Sequence, residues 1–352
     1  MTRKTHLVGA WPGFSGAHAM DVAMRRLGPH LLRMTDGETG ERSQWIQPTL
    51  EWLRANPDVE LVQDGDHTGY EDGTRYRVRD GRAIDPHKIE LGYHRAFQRS
   101  YPAFCELRGR HGLSGLSFQV GIPAPIDLAV IAFGDGTGRH DESVAPAFVE
   151  ASGREIDAIR SEAGDDVIFQ LESVVAMVAV ARSDPGAQRA TAARMASALA
   201  ETVARAPLGT RFGAHLCLGD YHHRALTEMG SAQPLVTMAN ALAAAWPADR
   251  GLEYIHTPFA AAERPGSLEE SWYEPLSGLE VPAAVRFVAG FVHEDLGLDE
   301  LRRVHRMIEE HAGRQVDVAA TCGLGRRPSV DQAWDAMDKT LSLLGEASNT
   351  PG

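Results

Sequence analysis

Eight times along this chain a short run of strand-like, largely apolar residues recurs, and most of these runs are followed by a stretch with helical spacing. The runs are Thr5 to Gly9, His30 to Met34, Gly115 to Val120, Val167 to Leu171, Arg211 to Cys217, Gly251 to Ile255, Val285 to Phe291 and Gln315 to Ala320. Apolar periodicity and propensity predict helices over Ala17 to Leu27, Lys88 to Leu107, Pro146 to Ala163, Ala187 to Ala206, Leu235 to Ala245, Leu298 to His311 and Asp331 to Leu344. Strands that alternate with helices build parallel sheets. Eight such units within 352 residues predict an α/β fold of the (β/α)8 TIM-barrel kind. A doubly wound open sheet is the alternative, but the first βα turn, Ala10-Trp-Pro-Gly13, lacks the Gly-x-Gly-x-x-Gly cradle of a dinucleotide fold.

One region breaks the repeat. From Val59 to about Ala83 the chain turns to Asp, Gly and Tyr with alternating Val and Arg, and Tyr76 to Arg82 reads as a β-hairpin with an Asp80-Gly81 turn. This excursion after the second strand could cover a site. No linker-like stretch divides the chain, so residues 1–345 are expected to form a single barrel domain and 346–352 a mobile tail.

The hydrophobic share of 43% suffices for a large core, and the formal charge of -13 disfavours nucleic acid or an anionic membrane as partner. No run approaches the ~18 apolar residues of a membrane span. The three cysteines, Cys105, Cys217 and Cys322, are too few for a disulfide framework, and with no apolar leader the expected location is the cytoplasm. Cys105 lies beside Phe104 and Leu107 and reads as core.

Barrel enzymes place their sites at the C-terminal ends of the strands. Glu38, Glu172, His215, Cys217, Glu253, His293 and Cys322 are expected to fall there. Residues i and i+2 of a strand face one way, so His215 and Cys217 project together. With Cys322 they offer one nitrogen and two sulfurs, a donor set that suits Zn2+. The competing reading is a buried thiol pair and a core histidine. His256 is a further possible ligand or a packed imidazole, and Asp36 is a turn or cap residue as readily as a functional one. His222 and His223 read as loop residues.

These residues resemble the C-terminal catalytic half of the cobalamin-independent methionine synthases and their single-barrel relatives. His215-Leu-Cys217 is similar to the family's His-x-Cys zinc pair, Thr321-Cys-Gly-Leu324 to its second cysteine motif, and Leu252-Glu-Tyr254 to the strand that supplies a glutamate ligand. The resemblance thus implies zinc held by His215, Cys217, Cys322 and Glu253. Val8-Gly-Ala10 resembles the strand end whose backbone meets the amino-acid acceptor, which assigns Gly9 and Ala10 to substrate binding. Asp36-Gly-Glu38 and Gln170-Leu-Glu172 resemble the motifs whose carboxylates hold the substrate ammonium, and Phe291-Val-His293 the strand ending in a proton-moving histidine. Ser173 and Val174 depart from the Glu-Pro that completes the fourth-strand motif.

The expected function is therefore a zinc-dependent methyl or alkyl transferase of the methionine-biosynthesis type. Its partners would be a thiol or amino-acid acceptor such as homocysteine, and a methylated folate, corrinoid or similar donor. A metal-free lyase of the uroporphyrinogen decarboxylase type would need an arginine-rich rim. A non-catalytic zinc-stabilised barrel would need a closed metal shell.

Overall fold

The computed structural model describes residues 2–66, 68–135 and 141–345, so the 346–352 tail lies outside the described residues. The barrel strands are β1 (Thr5–His6), β2 (Arg33–Thr35), β5 (Ser117–Pro123), β6 (Val167–Ser173), β7 (Arg211–Leu216), β8 (Gly251–Pro258), β9 (Arg286–Val292) and β10 (Asp317–Ala320). They form one parallel eight-stranded sheet in the order β1-β10-β9-β8-β7-β6-β5-β2, the nearly closed wall of a (β/α)8 barrel. Between β1 and β2 the join passes to the strand ends, where Trp11 N donates to Gly37 O (2.8 Å) and Thr35 Oγ1 to Gly9 O (3.3 Å).

The remaining strands, β3 (Val59–Gln63) and β4 (Arg75–Val78), pair antiparallel as the hairpin after β2. Its connection is 64–74, while Asp80-Gly81 follows the second strand, so the Asp-Gly pair turns the chain out of the hairpin and not within it.

Helices α1 (Gly16–Leu27), α3 (Tyr93–Arg110), α5 (Ala145–Ala163), α7 (Gln188–Arg205), α8 (Gln233–Ala245), α9 (Leu298–Ala312) and α10 (Val330–Leu344) match the segments expected from periodicity. Helix α9 shows the reason. Leu301, Val304, His305 and Ile308 share its buried face, and the Glu300 side chain accepts from Gly297 N (2.8 Å) at its start. Three shorter helices were not expected: α2 (Gln47–Ala55), α4 (Pro125–Phe133) and α6 (Val174–Arg182). Helices α4 and α6 are apolar nearly throughout, which blurs a 3.6-residue period. Helix α6 starts directly after β6, capped by Ser173 Oγ on Ala176 N (3.1 Å). Buried Asp127 accepts from Val174 N (2.7 Å), Val175 N (2.9 Å) and Ser173 Oγ (2.5 Å). No helix among the described residues is long and apolar enough to cross a membrane.

Aliphatic and aromatic side chains between sheet and helices form the main core, whereas much of the barrel interior is polar. Arg33 lies over the Tyr254 ring, 3.8 Å from its centroid, and donates to His6 Nδ1 (3.2 Å). His6 Nε2 then meets Gln170 Oε1 (2.8 Å), and Gln170 Nε2 donates to Glu172 Oε1 (2.8 Å). A chain of hydrogen bonds thus runs from the N-terminal end of the barrel to its C-terminal mouth.

Candidate metal centre and carboxylate pair

His215 stands near the end of β7, and Cys217 extends the same ladder through its amide on Ser173 O (3.1 Å). Cys322 follows β10. One ligand atom from each of these three residues lies within 4.8 Å of the others. The hydrogen bond between the converging thiols raises Cys217 and lowers Cys322. Gly219 N donates to Cys217 Sγ (3.2 Å), a contact that favours a sulfur anion. Burial, and then His256, push His215 well below the usual imidazole range, so its ring is neutral and able to bind a metal. A neutral imidazole with two thiols is a donor set that fits zinc.

Glu253 is not brought to this cluster, which corrects its expected role as a ligand. The β7–β8 register slips between Phe212 and Gly213, pairing Phe212 with Leu252 and Gly213 with Tyr254 and leaving Glu253 as the extra residue. From there it pairs with Arg211 Nε (2.5 Å) and lies 4.0 Å from Arg33, toward the N-terminal end of the barrel. The residue level with His215 is His256, whose Nδ1 lies 2.8 Å from His215 Nδ1.

Across the mouth, Glu38 and Glu172 converge. A Cβ at Gly121 would stand 2.6 Å from Glu172 Oε1 and 2.7 Å from Glu38 Oε1, and one at Gly9 would stand 2.5 Å from Glu38 Oε2. Both glycines leave room for carboxylates. Trp45 Nε1 donates to Glu172 Oε2 (3.0 Å). Glu38 has a left-handed backbone (φ 41), held by its amide on Asp36 Oδ1 (3.0 Å). Asp36 therefore builds the turn that aims Glu38, with Arg42 3.5 Å from Asp36 and 3.8 Å from Glu38. Burial raises both glutamates above the ordinary carboxylate range, and for Glu38 the neighbouring Glu172 charge raises it further.

Glu38, Glu172, His215, Cys217 and Cys322 line one cavity of about 1150 Å³, together with Gly9 and Ala10. Tyr70, from the hairpin connection, reaches the same cavity. Its hydroxyl donates to Arg224 O (2.8 Å) and accepts from Tyr221 N (3.0 Å), which docks the hairpin onto the loop after β7.

His293 is not among the cavity's lining residues. Fully buried, it presents Nε2 to Ala262 O (2.8 Å) and accepts from Asp295 N at Nδ1 (3.2 Å). Its Nδ1 also lies 3.8 Å from Glu294 Oε2, so His293, expected from the sequence as a proton-moving residue, ties two loops together away from the lining of the cavity.

Beside the cavity, with Asp220 on its lining, is an ionic group of largely buried side chains that sequence reasoning missed. Arg327 Nε lies 3.1 Å from Glu294 Oε2, His223 Nε2 lies 3.0 Å from Glu294 Oε1, and Arg327 lies 3.9 Å from Asp220. These residues come from the loops after β7, β9 and β10. No single motif announces them, because loop residues join only when the barrel closes.

The class of molecule so defined is a (β/α)8 barrel with a soft-metal donor cluster and a carboxylate pair sharing one cavity at its C-terminal mouth. No family model matches the sequence, and no curated protein matches it. Among solved structures the chain is similar to a protein provisionally described as a vitamin-B12 independent methionine synthase from Listeria monocytogenes. Identity is 14%, 98% of each chain is covered, and the TM-score is 0.58. It also matches a methyltransferase from Methanosarcina mazei at 15% identity, over 92% of this chain and 85% of that one, with a TM-score of 0.44. The full-length likeness to the Listeria protein supports the barrel fold.

Proposed function

We propose that this protein is a zinc-dependent transferase that moves a methyl or other small alkyl group onto the sulfur of a thiol acceptor. The observation that carries this reading is the convergence of His215, Cys217 and Cys322 within 4.8 Å, in one cavity with Glu38 and Glu172. The name of the Listeria protein agrees with it. His215, Cys217 and Cys322 would hold the metal. Zinc so bound would supply Lewis acidity that lowers a thiol's pKa, so that the acceptor is in its nucleophilic form at neutral pH. Three donors among the described residues support a coordination position left for that thiol, as in catalytic sites, over the closed shell of a structural one.

The chain's other groups bind and orient. Glu38 and Glu172 would receive an ammonium group, and their mutual repulsion is relieved when that cation sits between them. Gly9 and Gly121 keep the space for this contact open. Tyr70 and the hairpin wall off one side of the cavity and limit water there. During transfer the sulfur–carbon bond forms as the carbon's bond to the donor breaks, and the electron pair departs with the donor. An amino thiol such as homocysteine satisfies both ends of the site, while a methylated folate, a corrinoid or a similar carrier is the donor class.

The test is metal analysis of the purified protein and of Cys217→Ser, followed by X-ray absorption at the zinc edge with homocysteine added. One zinc per chain, lost in the variant and gaining a sulfur neighbour with homocysteine, is the expected result. A wild-type chain that takes up no zinc ends the proposal.

A further inference from the structure

We infer that His256 is a positioning residue: it holds the His215 imidazole in the Nδ1–H form and so leaves the bare Nε2 as the nitrogen offered to a metal. The consequence for metal rests on the transferase reading above, whereas the hydrogen-bond geometry stands without it.

His256 is completely buried at the level of His215 in the β7–β8 register, with ring centroids 4.8 Å apart. Its Nε2 lies 3.0 Å from the carbonyl of Ala320. A carbonyl oxygen only accepts, so this nitrogen carries the proton. His256 is 0% exposed, which removes the hydration a cation would need, and among the described residues no carboxylate forms an ion pair with the ring, so the neutral ring with its proton on Nε2 leaves Nδ1 bare. The other group at that atom is His215 Nδ1, 2.8 Å away. Two bare nitrogens would repel, so His215 Nδ1 must be the donor. A proton on Nδ1 leaves Nε2 with its lone pair, which is the form a metal ligand needs.

Two backbone features serve this arrangement. Gly290 on β9 has no side chain where a Cβ would stand 2.6 Å from His256 Nε2, so the ring keeps its slot. The β9–β10 register slips between Ala319 and Ala320, where the carbonyl bonded to His256 sits, two residues before Cys322. One side chain therefore ties the strand bearing His215 to the strand leading to Cys322.

The experiment is long-range 1H–15N correlation spectroscopy on the full chain labelled at histidine nitrogen, first without metal and then during zinc titration against a competing chelator. His215 is assigned from the spectrum of His215→Gln. In the metal-free wild type, His215 is expected as the Nδ1–H tautomer. His256→Phe, which fills the space but cannot accept, should lose that tautomer preference and bind zinc roughly 10- to 100-fold more weakly. His256→Gln, whose amide can accept from His215 and donate to Ala320, should keep most of both. Packing alone would make Phe at least as good as Gln. An Nε2–H His215 in the metal-free wild type overturns the inference, as does a Phe variant with wild-type tautomer and zinc affinity. Because the tautomer is read without metal, a chain that shows Nδ1–H at His215 but takes up no zinc sinks the transferase reading and upholds this one.

Discussion

The two ends of the barrel treat charge in opposite ways. At the N-terminal end Arg211 and Arg286 each meet a carboxylate. Arg211 and Glu253 are 2.5 Å apart, and Asp317 accepts from Arg286 Nε and Nη2 (2.5 Å each) and from the Lys4 amide (2.8 Å). In the cavity at the C-terminal mouth, in front of the paired group of Arg327 and Glu294, groups of the same kind are gathered instead: two carboxyls over Gly121 and two sulfurs with His215. The nearest cation to Glu38 is Arg42, at 3.8 Å, and Glu172 is held by the neutral donors Trp45 and Gln170. Removing one member of a buried pair leaves the other uncompensated, whereas like groups held together mark a candidate site.

Breaking the N-terminal end should cost stability and spare the site. Asp317→Ala removes the carboxylate, 3% exposed, that pairs with Arg286 and should lower the unfolding free energy by about 3 kcal/mol with zinc content unchanged. Urea denaturation and metal analysis of one preparation check both halves. Cys322→Ser should do the reverse, weakening zinc binding by more than the roughly 100-fold that an outer-shell loss costs. A Cys322 variant that retains full zinc affinity would place the metal elsewhere.

Glu172→Gln sharpens the contrast. It should weaken binding of an ammonium-bearing thiol about 10- to 100-fold, the range of a hydrogen bond to a charged group. Calorimetric titration against pH reads the cause. Both carboxyls are raised, so in the wild type affinity should climb as pH rises through the range where the pair releases its proton. In the variant that climb should move to lower pH, because the repulsion acting on Glu38 is gone. The same pair makes the metal-free fold less stable as pH rises, since above the unfolded pKa the native state keeps a proton the unfolded chain has released. The smallest effect belongs to Glu253→Gln. Its pair with Arg211 is about a third exposed, so a loss of about 1 kcal/mol or less is expected, with zinc binding intact.

The rule that residues i and i+2 share a strand face identified His215 and Cys217, and the positions of Glu38, Glu172 and Cys322 after their strands placed them at the mouth. Glu253 misled for a definite reason. Counting along β8 from the sequence presumes an unbroken ladder, and the slip beside Phe212 makes Glu253 the unpaired residue and brings His256 level with His215. His293 differs: a histidine at a strand end is ambiguous until its surroundings are known, and it bonds the Ala262 carbonyl and the Asp295 amide, with Glu294 3.8 Å away, outside the lining of the cavity.

The sequence alone determined the repeating strand–helix alternation, because burial on both faces and helical spacing each leave a local pattern, and it determined the donor types available at the strand ends. Tertiary structure decided which donors meet. Register slips, glycine gaps such as Gly121 and Gly290, and the buried group of Asp220, His223, Glu294 and Arg327 join residues far apart in the chain. Their energies arise only once the barrel has closed, so no local stretch of sequence records them.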